Sequence, residues 1–147
     1  MAYCERFGKL RPVCPACDYV HFEDPKVAVA VFIRHEDQIL LVLRANDPER
    51  GKWALPAGYV DRSEDPRVAA EREVLQETGL QVQITRLIDV IYEGLIVIIY
   101  EAAVVGGTLC AADDAAEARW FTRHNLPEIA FRSTQQVIAA WQQDGAR

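Results

Sequence analysis

A chain of 147 residues, half of them hydrophobic and 26% charged, is the size of one globular domain and long enough to bury a substantial core. Its formal charge of −6 argues against a general binder of nucleic-acid backbone, whose affinity comes from clustered Lys and Arg; a small anionic substrate stays open, because a bound metal can reverse the field locally. The longest apolar runs, around Val27–Ile33 and Leu95–Tyr100, are too short to cross a bilayer, and with no export signal ahead of them the expected setting is cytoplasmic.

In chain order, residues 1–26 are turn-rich and read as a short leader ahead of a main domain over 27–147. The leader contains Cys14-Pro-Ala-Cys17, and two thiolates presented by one tight turn can fill two corners of a tetrahedral metal site. Its other half is incomplete, since Phe7 stands where a partner for Cys4 would fall. Two readings follow. Either Zn2+ is held by Cys4, Cys14, Cys17 and His21, or the leader is packed by Tyr3, Phe7, Tyr19 and Phe22. Cys110, beside an acidic loop, reads as a buried apolar residue rather than a nucleophile.

From Val27 the pattern turns strand-like. VAVAVFI and ILLVLR, separated by a polar turn at 34–38, predict a hairpin, and ANDPERGK predicts a loop. Asp65-Pro66 and Gly79 bracket a helix, the aspartate capping free amides, the proline tolerated at the first position and the glycine suited to the stop. The apolar positions Ala69, Val74 and Leu75 lay that helix on a sheet. QVQITRLIDVIY and GLIVIIYEAAVV predict two longer strands with a turn near Glu93-Gly94, followed by a loop over TLCAADDAAEA and a short strand in ARWFTRHNLP. A last helix is expected near Phe131 to Gln143, with Val137, Ile138 and Trp141 facing the core.

The chemistry concentrates on the middle helix. Glu73 and Glu77 project from one face, with Gln76 beside them and Arg72 one step back. Two carboxylates one turn apart repel unless a positive charge lies near them. Arg72 supplies part of it, and a divalent cation would supply more. Gln76 can ligate a hard cation through its amide oxygen but brings no negative charge and cannot act as a base. Gly58 lets the backbone approach the helix closely.

The long spacing adds specificity. Gly58, Glu64, Arg72, Glu73, Val74, Glu77, Gly79 and Leu80 resemble the Nudix hydrolase signature, in which a glycine and a glutamate precede an Arg-Glu-apolar-x-Glu-Glu-x-Gly-apolar helix; Gln76 stands where the first glutamate of the final pair is expected. WALPAGYV is similar to the family's entry into that helix, with Ala57 for a glycine. The resemblance implies an α/β fold, the Nudix-type α/β/α sandwich with a mixed sheet. It also implies hydrolysis of a diphosphate with Mg2+ or Mn2+ held by Glu73, Gln76 and Glu77. Glu64 matches the upstream glutamate that supports the metal or its water, Arg72 fixes the carboxylate face, and Glu117 comes from a region that often supplies a catalytic carboxylate.

The leader, EDPKVAVAVFI, LPAGYV and IAFRST together resemble the branch that splits ADP-ribose, FAD or NADH and carries a zinc-ribbon leader. That implies a small-molecule nucleotide substrate, release of AMP and a homodimer. Arg44 and Arg50 are candidates for phosphate or sugar contacts, or plain surface charges. Phe131, Tyr59 and Tyr92 are candidates to stack on adenine. The alternatives are a nucleoside triphosphate housecleaning hydrolase, or a nucleotide-binding regulatory protein that has lost turnover at Gln76.

Overall fold

The alternation in Val27–His35 decides the architecture. In this strand, β3, the side chains of Val29, Val31 and Ile33 enter one buried cluster, and Ala30 and Phe32 enter another on the opposite face. A strand apolar on both faces must be covered on both. The computed structural model describes residues 1–112 and 115–145, and in it two helices provide the cover.

A leader hairpin comes first, β1 (Ala2–Arg6) with β2 (Lys9–Val13), then β3 and β4 (Gln38–Arg44), the short β5 (Trp53–Ala54) and β6 (Ala57–Tyr59), and helix α1 (Pro66–Thr78). The long strands β7 (Leu80–Tyr92) and β8 (Ile96–Gly107), then β9 (Ala115–Thr122) and helix α2 (Arg132–Asp144), complete the chain. The main sheet runs β5-β4-β3-β8-β7, with β9 on β4 and β6 on β3. It is mixed, because β3 and β8 are parallel from Val27↔Ile96 to Ile33↔Ala102 while the other pairings are antiparallel. Ala69, Ala70 and Val74 of α1 pack on the first cluster, Ile138 and Trp141 of α2 on the second, giving the expected α/β/α sandwich. Strand β7 forms an end of the sheet and shifts register against β8 three times, between Gln81 and Val82, Ile84 and Arg86, and Leu87 and Asp89.

One break in this sheet positions everything functional. β3 and β4 pair only at their hairpin end, Arg34↔Ile39 and His35↔Gln38, and then part. β6 fills the space beside β3 (Ala28↔Tyr59 to Ala30↔Ala57) and β5 the space beside β4 (Val42↔Ala54, Leu43↔Trp53). The segment Trp53–Tyr59 thus crosses the opening and delivers the chain to α1.

The helix ends follow the sequence. The Asp65 side chain accepts from the Arg67 amide at 2.8 Å, Pro66 occupies the first turn, and Gly79 closes the helix with φ 74° while its amide donates to the Leu75 carbonyl. Helix α2 has no side-chain cap of its own. Glu93, in the turn between β7 and β8, accepts from the Ser133 amide at 2.7 Å and the Ser133 hydroxyl at 2.9 Å, placing a carboxylate at the positive end of the helix.

Three expectations change in the main domain. Leu75 does not face the sheet: it is exposed, and Ala70, one turn earlier on the other side, is buried in its stead. Three apolar positions left the helix rotation underdetermined, and the burial of the Glu77 edge of α1 turned it. Cys110 is exposed rather than buried, because its neighbour Leu109 is the residue of that segment that packs on the core. The loop before ARWF is also shorter than expected. Ala115 to Glu117 already belong to β9, drawn in by pairing with β4 (Arg44↔Ala115, Leu43↔Glu117), while Asp113 and Asp114 of the expected acidic loop lie outside the described residues.

In the leader, Phe7 and Gly8 form the hairpin turn with φ of 52° and 78°. Phe7 and Phe22 meet at 5.7 Å between ring centroids, and the Arg11 guanidinium lies 4.6 Å from the Phe22 ring, so Phe22 is held by the hairpin. Tyr3, Phe7, Tyr19 and Phe22, expected to pack the leader, are all exposed, and the Phe7–Phe22 contact lies at the surface. Replacing Gly79 with Ala forces a left-handed residue and brings its Cβ to 2.4 Å from the Thr108 carbonyl oxygen. We expect Gly79→Ala to lower stability by more than about 2 kcal/mol in chemical denaturation.

Candidate active site

Arg72 is the hub of the site. Its Nε donates to Glu64 Oε2 at 2.8 Å and its Nη2 to Glu64 Oε1 at 2.9 Å, the fork-to-fork pair that planar guanidinium and carboxylate favour. Its Nη1 donates to Glu73 Oε1 at 2.8 Å and to Gln76 Oε1 at 3.0 Å, and Nη2 also reaches the Tyr59 carbonyl at 3.0 Å. Asp61 Oδ2 lies 3.6 Å away, and the Asp61 amide donates to Glu64 Oε1 at 3.0 Å. One cation therefore ties the loop after β6, the upstream glutamate and the polar face of α1 into one piece.

Those bonds set the protonation of Glu64. The hydrogen bonds from Arg72, then that from the Asp61 amide, hold its carboxyl down to about 2, while the same contacts push Arg72 upward. Glu64 thus remains ionised across the pH range in which a hydrolase works.

The Gly58 backbone and the Glu73 side chain touch. A Cβ built on Gly58 would lie 2.1 to 2.4 Å from the three carboxylate atoms of Glu73. No side chain fits there unless that carboxylate moves. Glu77, on the next turn, is 7% exposed, and the 108–112 segment lies against its backbone, the Ala112 amide donating to the Glu77 carbonyl.

The residues present fit a hard divalent cation in donor chemistry. Glu73 Oε1 and Gln76 Oε1 already converge on a common positive group, Arg72 Nη1, and carboxylate and amide oxygens are the ligands such ions take. The set carries less charge than two adjacent glutamates would, and among the described residues no three His, Cys, Asp or Glu side chains converge as a metal cluster, either here or in the leader. The four-ligand zinc arrangement of Cys4, Cys14, Cys17 and His21 is therefore not assembled. Cys4 sits in the hairpin opposite Arg11, whereas Cys14 and Cys17 are together: amide hydrogen bonds from Ala16 and Cys17, then one from the Cys17 thiol, lower the Cys14 thiol. Asp18, at the position a glycine takes in the resembled ribbon, adopts the left-handed φ of 59°, so the knuckle turn closes without one.

A second patch lies at the far end of Trp53–Tyr59. The Arg44 guanidinium stacks 4.8 Å from the Phe131 ring centroid and donates to the Pro48 carbonyl at 2.9 Å. Trp53 is bound into the same region through its amide to the Glu128 carbonyl and its carbonyl to the Ala130 amide. Arg119 lies 5.5 Å from the Trp53 ring and forms an ion pair with Glu117. Arg50 is not brought in: it faces Asp47 at 3.8 Å on the exposed loop. Tyr92, a candidate stacking residue, is exposed at the end of β7. Glu117 shares a strand face with Arg119 and Phe121, the face toward α2, while α1 covers the other.

Arg119 is the member of this patch that sequence reasoning did not assign, whereas Trp53 reads from sequence equally as a core aromatic and as a substrate contact. The signal for Arg119 was the register, since Leu43 pairs with both Trp53 and Glu117, and register is not readable from composition.

A glycine-backed helix face, with glutamates tied through one arginine, on this split mixed sheet is what a family model described as the NUDIX domain matches over residues 24–142. The chain belongs to the Nudix hydrolase family. It is 39% identical over 136 residues to an ADP-ribose pyrophosphatase of Methanocaldococcus jannaschii, covering 88% of this chain and 79% of that protein. It is 35% identical over 107 residues to the mouse 8-oxo-dGDP phosphatase NUDT18, covering 69% of this chain but 33% of that longer one. Among solved structures, a Nudix hydrolase from Nitrosomonas europaea superposes with a TM-score of 0.85 at 28% identity, over 98% of this chain and 92% of that one. Among the described residues no helix is long and apolar enough to cross a membrane.

Two measurements probe the hub. The three atoms nearest a Cβ on Gly58 all belong to the end of the Glu73 side chain, so we expect Gly58→Ala to keep the unfolding free energy within about 1 kcal/mol of wild type while lowering hydrolytic kcat at least roughly 10-fold. For Glu64, whose folded value of about 2 lies below its ordinary 4.5, the stabilisation is fully present above that ordinary value and is lost as pH falls through the folded one. Glu64→Gln should therefore be less stable than wild type at pH 7, with the gap closing as denaturation curves are taken down toward pH 2.

Proposed function

We propose that this Nudix hydrolase cleaves the diphosphate bond of a nucleoside diphosphate linked to a second moiety, ADP-ribose or FAD, releasing AMP. The observation that carries the reading is the Arg72-centred face of α1, supported by the 39% identity to a protein named ADP-ribose pyrophosphatase. Glu73, Gln76 and Glu77 would hold Mg2+ or Mn2+, which when bound neutralises phosphate oxygens and makes water a better nucleophile. Glu64 and Arg72 hold these ligands in place, Arg72 by spending its hydrogen bonds on them. Arg44 and Phe131 offer a charge and a ring edge to the phosphate and base. Arg50 can join them only by leaving Asp47.

Water attacks one phosphorus, the bond from that phosphorus to the bridging oxygen breaks, and the attacking water gives up a proton. Glu117, ion-paired with Arg119 on β9, is the proposed acceptor and would have to reach the α1 carboxylates from the other face of its strand. Replacing Glu117 with Gln should lower kcat roughly 100-fold and alter the pH profile; an unchanged rate and profile would take that role away from it. The working unit is proposed to be a homodimer, which light scattering on the eluted protein would show as twice the chain mass.

The deciding assay measures AMP release from ADP-ribose, FAD and NADH, and product from a nucleoside triphosphate and 8-oxo-dGDP, with and without Mg2+ or Mn2+. We expect metal-dependent release, fastest with ADP-ribose or FAD, and a loss of at least roughly 100-fold in Glu77→Ala. Faster turnover of the triphosphate or of 8-oxo-dGDP would move the protein to a housecleaning role. Binding without turnover of any of them would make it a regulatory protein, and Gln76→Glu would then be the variant to restore hydrolysis.

A further inference from the structure

The leader has no place in the reaction so far, yet it forms one wall of a cleft beside the loop that enters α1. That cleft, about 830 Å3, is lined by Tyr19, His21 and Phe22 on the leader side and by Tyr59, Asp61 and Arg62 on the side of the loop entering α1. The volume is that of a small-molecule site. We propose that this cleft is the subsite for the second moiety of the substrate, a ribose-bearing phosphorylated group, and that the leader is thereby a specificity element; the assignment rests on the diphosphatase reading above.

Position supports it. The floor of the cleft is the same loop that builds the hydrolytic face: the Tyr59 carbonyl accepts from Arg72, and Asp61 lies against Arg72 and Glu64. The Arg44–Phe131 patch lies at the other end of Trp53–Tyr59, a segment that spans at most ~20 Å when extended. A molecule with two large groups joined by a diphosphate could place one group at each end, with the Glu73 face beside the middle. A nucleoside triphosphate or a free nucleoside diphosphate has nothing to put in the cleft.

Chemistry supports it too. The Tyr59 ring is half exposed, with the Lys26 ammonium 5.0 Å from its centroid, a stacking platform already beside a cation. Arg62 forms no ion pair with any described residue, and its guanidinium can donate to the hydroxyls of the second sugar. Asp24 and Asp61 offer acceptors for sugar hydroxyls. Phe22 does not drift, because Phe7 and Arg11 of the hairpin pack against it. The otherwise detached hairpin thus serves to fix the wall.

The test compares ADP-ribose with ADP monomethyl ester, which keeps the adenosine and the diphosphate and lacks the second sugar. In the double variant Tyr59→Ala/Arg62→Ala, and separately in Phe22→Ala, we expect KM for ADP-ribose to rise ~10-fold with kcat within about twofold of wild type, while both constants for the methyl ester stay put. Tyr59→Phe, which keeps the platform, should behave as wild type. An equal rise on both substrates, or none on either, overturns the assignment.

Calorimetric titration without metal separates this proposal from the reaction itself. Wild type should bind ADP-ribose at least ~10-fold tighter than AMP, and the double variant should bind the two alike. If neither substrate is cleaved but that binding difference is present and lost in the variant, the diphosphatase reading fails and the subsite stands. If wild type binds ADP-ribose no tighter than AMP, the subsite fails whatever the turnover.

Discussion

The site depends on a single electrostatic problem and its solution. Packing α1 on the sheet through Ala69, Ala70 and Val74 obliges the helix to carry Glu73 against the backbone of the preceding loop and to bury Glu77 one turn on. Carboxylates held there repel one another and lose water, a cost that must be balanced locally. Arg72 balances it by binding Glu64, Glu73, Gln76 and the Tyr59 carbonyl at once. Because the fork with Glu64 is planar and bidentate, lysine could not take its place: a point charge would neutralise but would not fix the angle between loop and helix.

This solution links the fold to the chemistry. The parting of β3 and β4 opens the space, β5 and β6 line it, and the loop from Tyr59 to Glu64 is the strap Arg72 fastens. Each piece is ordinary by itself. Their coincidence on one short stretch explains why the glycine at 58 and the arginine at 72 are both needed, one making room for Glu73 and the other holding it.

Much of this was legible in the sequence. VAVAVFI announced a strand, Asp65-Pro66 and Gly79 set the helix ends, and the Gly58–Leu80 spacing pointed to the family. What sequence could not supply were the facts that depend on register and rotation. Leu75 reads as a core residue because a helix with few apolar positions admits more than one rotation, and burial of Glu77 chose another. Glu117 reads as loop because an alanine-rich acidic stretch has weak strand preference, and β4 overrode it by pairing. Arg119 met Trp53 only through that register. In the leader, CPAC signalled the turn that joins Cys14 and Cys17, but nothing local reported that Cys4 would stay in a hairpin opposite Arg11.

The three register shifts along β7 bear on how copies of this chain can meet. β7 is a long strand at the end of the sheet, and it exposes Leu87, Val90 and Tyr92. A straight strand of that kind would template another, with its free amides and carbonyls in step along its whole length. Each bulge twists the strand and puts its free groups out of step with a regular neighbour. Continuous edge-to-edge growth, which needs a regular run of free groups, is thereby frustrated along this edge.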